Sequence, residues 1–102
     1  MSLRTVILSQ AKADAREIYE FLAKHSVQAA DRFLHHLALT IEELRQSPDK
    51  GMHLIADAPE LAPTLWRKVE GFPNHLIFFQ VDGGRLLVMR VVHGSRNWTQ
   101  FL

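Results

Sequence analysis

The sequence contains no cysteine, and this absence removes several classes of site at once. Without cysteine the chain cannot form a disulfide framework, a thiolate zinc site or a thiol nucleophile. No apolar run approaches the roughly 20 residues that a membrane-spanning helix needs. The first residues, MSLRTVILSQ, hold too short an apolar run for a secretory signal peptide. We therefore expect a cytoplasmic protein with no membrane partner.

Signatures of several enzyme classes are also missing. The sequence has no glycine-rich phosphate loop. The two glycines of VDGGR stand between two strand-like stretches, where they are typical of a β-turn. It shows no Ser-His-Asp signature either. His35 and His36 would point about 100° apart on a helix, so the two neighbouring imidazoles cannot face one metal ion together. We expect no metal and no cofactor.

What the sequence does contain is typical of one globular domain. Its 102 residues, 47% apolar and 23% charged, suit a single domain over residues 1–102. The charge is unevenly spread: residues 1–63 hold seven Lys or Arg against nine Asp or Glu, and residues 64–102 hold five against two. The second part is thus the basic end of the chain.

The first half of the chain predicts a strand followed by two helices. Leu3–Leu8 is short and rich in β-formers, Ser9 stands where an N-cap would, and apolar residues then recur at helical spacing until near His25. Ser26 is a candidate cap for a second helix that ends at Pro48. The apolar stripe of this second helix is Ala30, Phe33, Leu34, Leu37, Ile41 and Leu44. Because the join is so short, the two helices should form an antiparallel hairpin.

The second half of the chain predicts an antiparallel sheet. Residues 47–64 are rich in proline and glycine and indicate a connection, after which the period changes to two. LWRKVE, HLIFFQV and RLLVMRVVH are strand candidates, with turns at Gly71–Asn74 and at Asp82–Gly84. The prediction is an α+β fold with an N-terminal strand, a helical hairpin packed on one face of the sheet, and a three-stranded antiparallel meander.

The last two predicted strands are apolar on both faces. A single helical hairpin covers only one face of a sheet, so another surface should complete the face that includes Leu76, Phe78 and Met89. The C-terminal residues NWTQFL, a second copy in a homodimer, and a separate protein are three alternatives. We take these three side chains as candidate partner contacts.

Taken together, SQAKADAREIYEFLA, LWRKVEGFPNHLIFFQVDGG and LLVMRVVHGSR resemble the RelE/ParE superfamily of bacterial toxins. The likeness is closer to the ParE or plasmid-stabilisation branch, and its most specific part is MRVVHGSR (Met89 to Arg96). The resemblance implies a toxin of a type II toxin-antitoxin module, neutralised by a cognate antitoxin that wraps the hairpin and the sheet. It also implies one of two targets, because ParE-like toxins act on DNA gyrase and RelE-like relatives cut messenger RNA on the ribosome.

Cleavage of RNA without a metal needs cations, a general base and a general acid in one place. The candidates are Arg67, Lys68, Arg90 and His93. The RelE-like pattern has a Tyr or His near the C-terminus, whereas the only tyrosine here is Tyr19 on the first helix. On a regular strand Arg90 and His93 would also point to opposite faces. Both features favour a toxin that is not an enzyme.

The predicted function is therefore inhibition of DNA gyrase, without sequence-specific binding of nucleic acid. The candidate target or partner contacts outside the apolar face are Arg67, Arg90, Arg96 and Trp98. For Arg90 the alternative is a structural ion pair with a helix carboxylate, and for His93 it is a structural role at a strand end. A ribosome-dependent endoribonuclease, and a degenerate toxin that retains only antitoxin binding, remain as alternatives.

Overall fold

The computed structural model describes residues 2–54 and 63–94, which form two helices and a five-stranded sheet. In chain order the elements are β1 (Arg4–Ile7), α1 (Ser9–Ala23), α2 (Val27–Gln46), a 3₁₀ turn (Pro48–Lys50), β2 (Met52–His53), β3 (Leu65–Val69), β4 (Phe72–Asp82) and β5 (Arg85–His93). The strands lie in the order β1-β5-β4-β3-β2. The predicted α+β class and the β3-β4-β5 meander are confirmed.

The first strand lies next to the last one in the sheet. β1 pairs in parallel with the first residues of β5, whereas the other strand pairs are antiparallel. Parallel neighbours need a long crossover, and the helical hairpin with the strands that follow it supplies one here. The amide of Leu3 donates to the carbonyl of Arg45 (3.1 Å), so the start of the chain is also tied to the end of α2.

The helical hairpin forms as predicted, with changes at its ends. Ser26 caps α2, because its hydroxyl accepts from the amide of Ala29 at 3.1 Å. The prediction that Ser9 caps α1 is wrong: Leu8 is the N-cap, Ser9 is the first helical residue, and no side chain caps this end. Leu34 was also wrongly assigned to the buried stripe of α2, since it is exposed. It lies at the border of that stripe, next to the fully buried Phe33.

The predicted turn over Gly71–Asn74 is wrong. The turn is at Glu70–Gly71, and Phe72, which already belongs to β4, pairs with Val69. Gly71 has a φ of 81°, a left-handed conformation that favours glycine. β2 is a further difference, because it adds a two-residue strand inside the region predicted as a connection.

The main core lies between the helices and one face of the sheet. Its fully buried side chains come from both helices and from β3, β4 and β5. They are Ala11, Phe33, Leu37, Ile41, Leu44, Val69, Ile77, Phe79, Leu86, Val88 and Val91. Five of the six residues predicted for the stripe of α2 are buried. The hairpin is therefore held mainly by apolar contact with the sheet.

A second, smaller cluster lies on the other face of the sheet. Phe78 and Val92 are buried there together with Leu54, and Trp66 and Leu76 pack against them. Leu54 follows β2, so part of this face is covered by the chain's own connection, which the sequence did not reveal. Phe78 is thus buried rather than exposed for a partner, contrary to prediction. The C-terminal residues NWTQFL, the predicted alternative cover, lie outside the described residues.

A β-bulge changes which residues of β5 share a face. Phe78 pairs with Arg90 and Phe79 pairs with Val88, so Met89 is an extra residue. The bulge puts Val88 in the main core, on the face opposite to that of Arg90, whereas a regular strand would have put the two residues on one face. From Arg90 to His93 the pairing is regular, and these two residues belong to opposite faces, as predicted.

Candidate functional site

Arg90 forms an ion pair with Asp14 of α1, which confirms the alternative of a helix carboxylate. Its Nε donates to Oδ2 at 2.7 Å and its Nη2 donates to Oδ1 at 2.8 Å. Both side chains are largely buried, at 13% and 7% exposure. The hydrogen bond to Asp14 raises the pKa of Arg90 against the opposing effect of burial. Such a two-pronged pair holds the guanidinium in one orientation.

Asp14 also binds the backbone of β5. Its Oδ2 accepts from the amide of Val91 at 3.0 Å. β1 pairs with β5 only as far as Val88, whose carbonyl accepts from the amide of Leu8 at 3.0 Å. Beyond Val88 no residue of β1 pairs with β5, and the carboxylate of Asp14 accepts the hydrogen bond of the Val91 amide in place of a strand neighbour.

Sequence reasoning missed Asp14, although a signal was present. The residue follows Ala11 by three positions and precedes Ile18 by four, so it lies within the apolar stripe of α1. A carboxylate in such a stripe needs a buried partner, because an unpaired buried charge is very costly.

A second cation group lies where α2 meets β3. Glu43 of α2 accepts from Arg67 at 3.4 Å, and Lys50 lies 3.5 Å from the same carboxylate oxygen. Arg67 also donates to the carbonyl of Lys50 at 3.3 Å. The Arg67 side chain remains 42% exposed. Lys68, the next residue, is exposed and pairs with Leu76, so it belongs to the opposite face of the sheet, as expected for adjacent strand residues.

This region contains an open cleft of about 580 Å³. Its lining residues are Thr40, Glu43, Met52, Trp66, Arg67, Lys68, Val69, Glu70, Gly71 and Pro73. Thr40 closes one side, because its hydroxyl donates to the carbonyl of His36 at 2.7 Å and accepts from the amide of Glu70 at 3.1 Å. The cleft thus combines exposed cations with the apolar side chains of Met52 and Trp66.

His93 lies opposite His75 at the end of the sheet where β4 begins and β5 ends. The two ring centres are 5.2 Å apart, and the ring of Phe33 lies 5.1 Å from that of His75. Nδ1 of His75 is buried, and no hydrogen-bond partner for it exists in residues 2–54 and 63–94. Burial, with a smaller effect of His93, lowers the pKa of His75.

The four candidate ribonuclease residues do not surround one point. Arg67 and His93 belong to the helix-covered face, but the buried Ile77 and Val91 lie between their positions in the sheet. Lys68 belongs to the other face, and the guanidinium of Arg90 contacts Asp14.

Tyr19 is likewise engaged elsewhere. Its hydroxyl donates to Asp31 at 3.0 Å, a hydrogen bond that raises the pKa of Tyr19.

The candidate partner contacts are also dispersed. Leu76 and Met89 are half-buried, and Phe78 is fully buried. Arg96 and Trp98 lie outside the described residues. Within the part of the chain that is described, histidines, cysteines and carboxylates form no group of three or more that could hold a metal ion. In that same part, no helix is both long enough and apolar enough to cross a membrane.

Several exposed apolar side chains lie on the helical hairpin. Phe21, Val27 and Leu34 are 62%, 57% and 41% exposed. Val27 and Leu34 are seven residues apart on α2, so they share one helix face with Asp31, the acceptor from Tyr19. This exposed strip was not predicted, because Leu34 was placed in the buried stripe.

Comparisons with known proteins agree with this architecture. The model of one protein family, described as the ParE toxin of type II toxin-antitoxin system, parDE, matches residues 6–98. The chromosomal ParDE system from P. aeruginosa has a similar structure, with a TM-score of 0.72 and 16% identity over 90% of this chain and 96% of that one. The RelBE2 toxin-antitoxin complex from Mycobacterium tuberculosis gives a TM-score of 0.61 and 14% identity over 91% and 99%. No curated protein sequence matches this chain.

Proposed function

The chain belongs to the ParE toxin family of type II toxin-antitoxin systems, and from this membership we propose that it inhibits bacterial DNA gyrase in the cytoplasm until a cognate antitoxin binds it. The family match covers residues 6–98, almost the whole of the sequence, and this supports a toxin of that family. Both similar solved structures are toxin-antitoxin systems, and this likeness supports the antitoxin as a partner.

The observation that carries the choice of gyrase is the position of Arg90. A ribonuclease would need this cation available to the phosphate in the transition state. Here its guanidinium contacts Asp14 through two nitrogens and is largely buried. Opening the pair would leave an uncompensated buried carboxylate, at a cost of about 3–5 kcal/mol. The arrangement supports a toxin that acts by binding.

The contacts with gyrase are proposed to involve exposed cations. Arg67 is partly exposed beside the open cleft, although Glu43 and Lys50 lie close to it. Arg96 follows Gly94 and Ser95 in the basic end of the chain, within the residues that the family model matches. We propose Arg96 as the main target contact, and Arg67 with the cleft as a secondary one.

The experiment that tests this function uses two assays on the same protein. The purified chain is added to gyrase in a supercoiling assay, and messenger RNA from induced cells is analysed by primer extension. We expect loss of supercoiling with intact messenger RNA. Cleaved messenger RNA with unaffected gyrase would refute the proposal in favour of an endoribonuclease, and no effect in either assay would indicate a degenerate toxin.

For the antitoxin we propose a contact with the exposed strip of α2 at Val27 and Leu34. An amphipathic partner helix would cover these apolar side chains and exclude water from them. Asp31 lies between them on the same face and is already held by Tyr19, so the strip has a polar centre with defined geometry.

Leu34→Asp should therefore weaken antitoxin binding at least tenfold without unfolding the toxin. Placing a carboxylate in an apolar contact costs about 1–3 kcal/mol or more, whereas an exposed position tolerates the change in the isolated protein. Binding is measured by titration calorimetry with the purified cognate antitoxin. Leu39→Asp is the matched control, because Leu39 is exposed on another side of the same helix. Equal binding by the two variants would exclude this surface.

A further inference from the structure

We propose that His75 and His93 form a proton-sensitive latch that holds the end of β4 against the end of β5. The two residues are direct partners in the pairing register of these strands. Their rings meet edge to face, with centres 5.2 Å apart and planes at 83°. The inference concerns the fold and holds whichever molecule the toxin acts on.

The surroundings of His75 favour the neutral imidazole. On the α2 side it packs against Phe33, and Phe72 of its own strand lies 6.3 Å away, centre to centre. A neutral imidazole tolerates one nitrogen without a donor nearby, whereas a protonated ring must donate from both nitrogens. Nδ1 is buried without a partner among the described residues, so a proton added there would have no acceptor.

The charged and titratable groups around His75 offer no compensation. From β5 the facing group is His93, whose positive charge would repel a second one. From α2 the nearest titratable side chain in the same aromatic cluster is His36, which contacts Phe72 at 5.9 Å. On the β3 side Phe72 pairs with the apolar Val69. In the described chain, burial and His93 are the causes that lower the pKa of His75, and no carboxylate counteracts them.

The location makes local opening the expected response to acid. The amide of Gly94 donates to the carbonyl of Asn74 at 2.6 Å, immediately beyond the histidine pair. Among residues 2–54 and 63–94 this hydrogen bond is the last one between the two strands at this end of the sheet. The rest of β4 and β5 is held by the main core, so the end can open while the domain remains folded.

The direction of the effect follows from linkage. His75 titrates below its ordinary value in the fold, so once the end opens it binds a proton more readily. At pH values well above 6.5 His75 is neutral in both the closed and the open form, and the latch is fully closed. As the pH falls below that value the open form gains protons and is increasingly populated, by about tenfold for each unit by which the fold lowers the pKa.

The test measures hydrogen exchange at the amide of Gly94 between pH 5 and pH 8, corrected for intrinsic exchange, together with NMR titration of each histidine. We expect the pKa of His75 to lie below its ordinary value of 6.5, and protection of Gly94 to fall with acid while amides in the middle of α2 keep theirs. His75→Phe should abolish this dependence, because phenylalanine suits the aromatic cluster and does not titrate.

His93→Gln provides a second variant should His75→Phe fail to fold. Removing the neighbouring charge should raise the pKa of His75, whereas the control His53→Gln should leave it unchanged. The inference is overturned when His75 titrates at or above its ordinary value of 6.5. It is equally overturned when Gly94 loses no more protection in acid than α2, or when His75→Phe retains the wild-type response to pH.

Discussion

The fold joins helix to sheet through two carboxylate–arginine contacts of different character. Asp14 and Arg90 meet at 2.7 and 2.8 Å, largely buried, and the carboxylate also binds the amide of Val91. Glu43 and Arg67 meet at 3.4 Å with both side chains about a third or more exposed, and Lys50 shares the carboxylate. The same pairing of a carboxylate with an arginine is thus buried where α1 meets β5 and exposed where α2 meets β3.

The difference shows which cations are available to a partner. A buried two-pronged pair with a third hydrogen bond cannot be opened without stranding a charge. A solvent-exposed pair contributes little to stability, and its arginine can exchange Glu43 for another acceptor at small cost. Arg90 therefore belongs to the fold, whereas Arg67 remains available for binding.

The largest loss of stability is expected from a change on the buried face of α2, because this face packs the helical hairpin against the sheet. Leu37→Asp puts a carboxylate among buried side chains of α2 and the sheet, at a cost of several kcal/mol, about the whole stability of a small domain. We expect the variant to be unfolded by circular dichroism at 25 °C. Leu39→Asp, an exposed leucine on the same helix, should melt like the wild type. A normal melting curve for Leu37→Asp would show that the core is assigned wrongly.

The next largest effect is expected at the buried pair. Asp14→Asn leaves the Arg90 charge without its carboxylate and should lower the free energy of unfolding by about 3–5 kcal/mol. Urea denaturation measures the change. The double variant Asp14→Asn with Arg90→Met should recover part of the loss, because it removes the stranded charge. If Asp14→Asn lowered the free energy of unfolding by less than about 1 kcal/mol, the pair would contribute no more than an ordinary surface ion pair, and the account would be contradicted.

The exposed pair should respond far less. Glu43→Gln removes the carboxylate shared by Arg67 and Lys50, and we expect the free energy of unfolding to change by no more than about 1 kcal/mol. The same urea experiment in low and high salt should show a further decrease of this small effect with salt. A loss as large as that of Asp14→Asn would remove the distinction between the two contacts.

The sequence predicted the elements that depend on long periodic patterns. Both helices, the meander and five of the six stripe residues of α2 follow from apolar spacing, which packing then reinforces. The hydroxyl of Ser26 was recognisable as a cap because capping depends on local chemistry.

The features that could not be predicted depend on contacts distant in sequence. β2 is only two residues long and exists because it pairs with Leu65 and Trp66. The bulge at Met89 and the role of Asp14 depend on how β5 meets β4 and α1. The alternation of side chains along β5 could not place Val88 in the main core. The extra residue of the bulge reverses which face of the sheet the residues before it occupy relative to those after it.

The central claim is that Arg90 belongs to the fold and that Arg96 makes the contact with the target. Its most direct test is inhibition of gyrase supercoiling by Arg96→Ala, with the exposed Arg32→Ala as the matched control. We predict that Arg96→Ala melts like the wild type, still binds the antitoxin and loses inhibition at least tenfold, while Arg32→Ala inhibits fully. Full inhibition by folded Arg96→Ala would contradict the account.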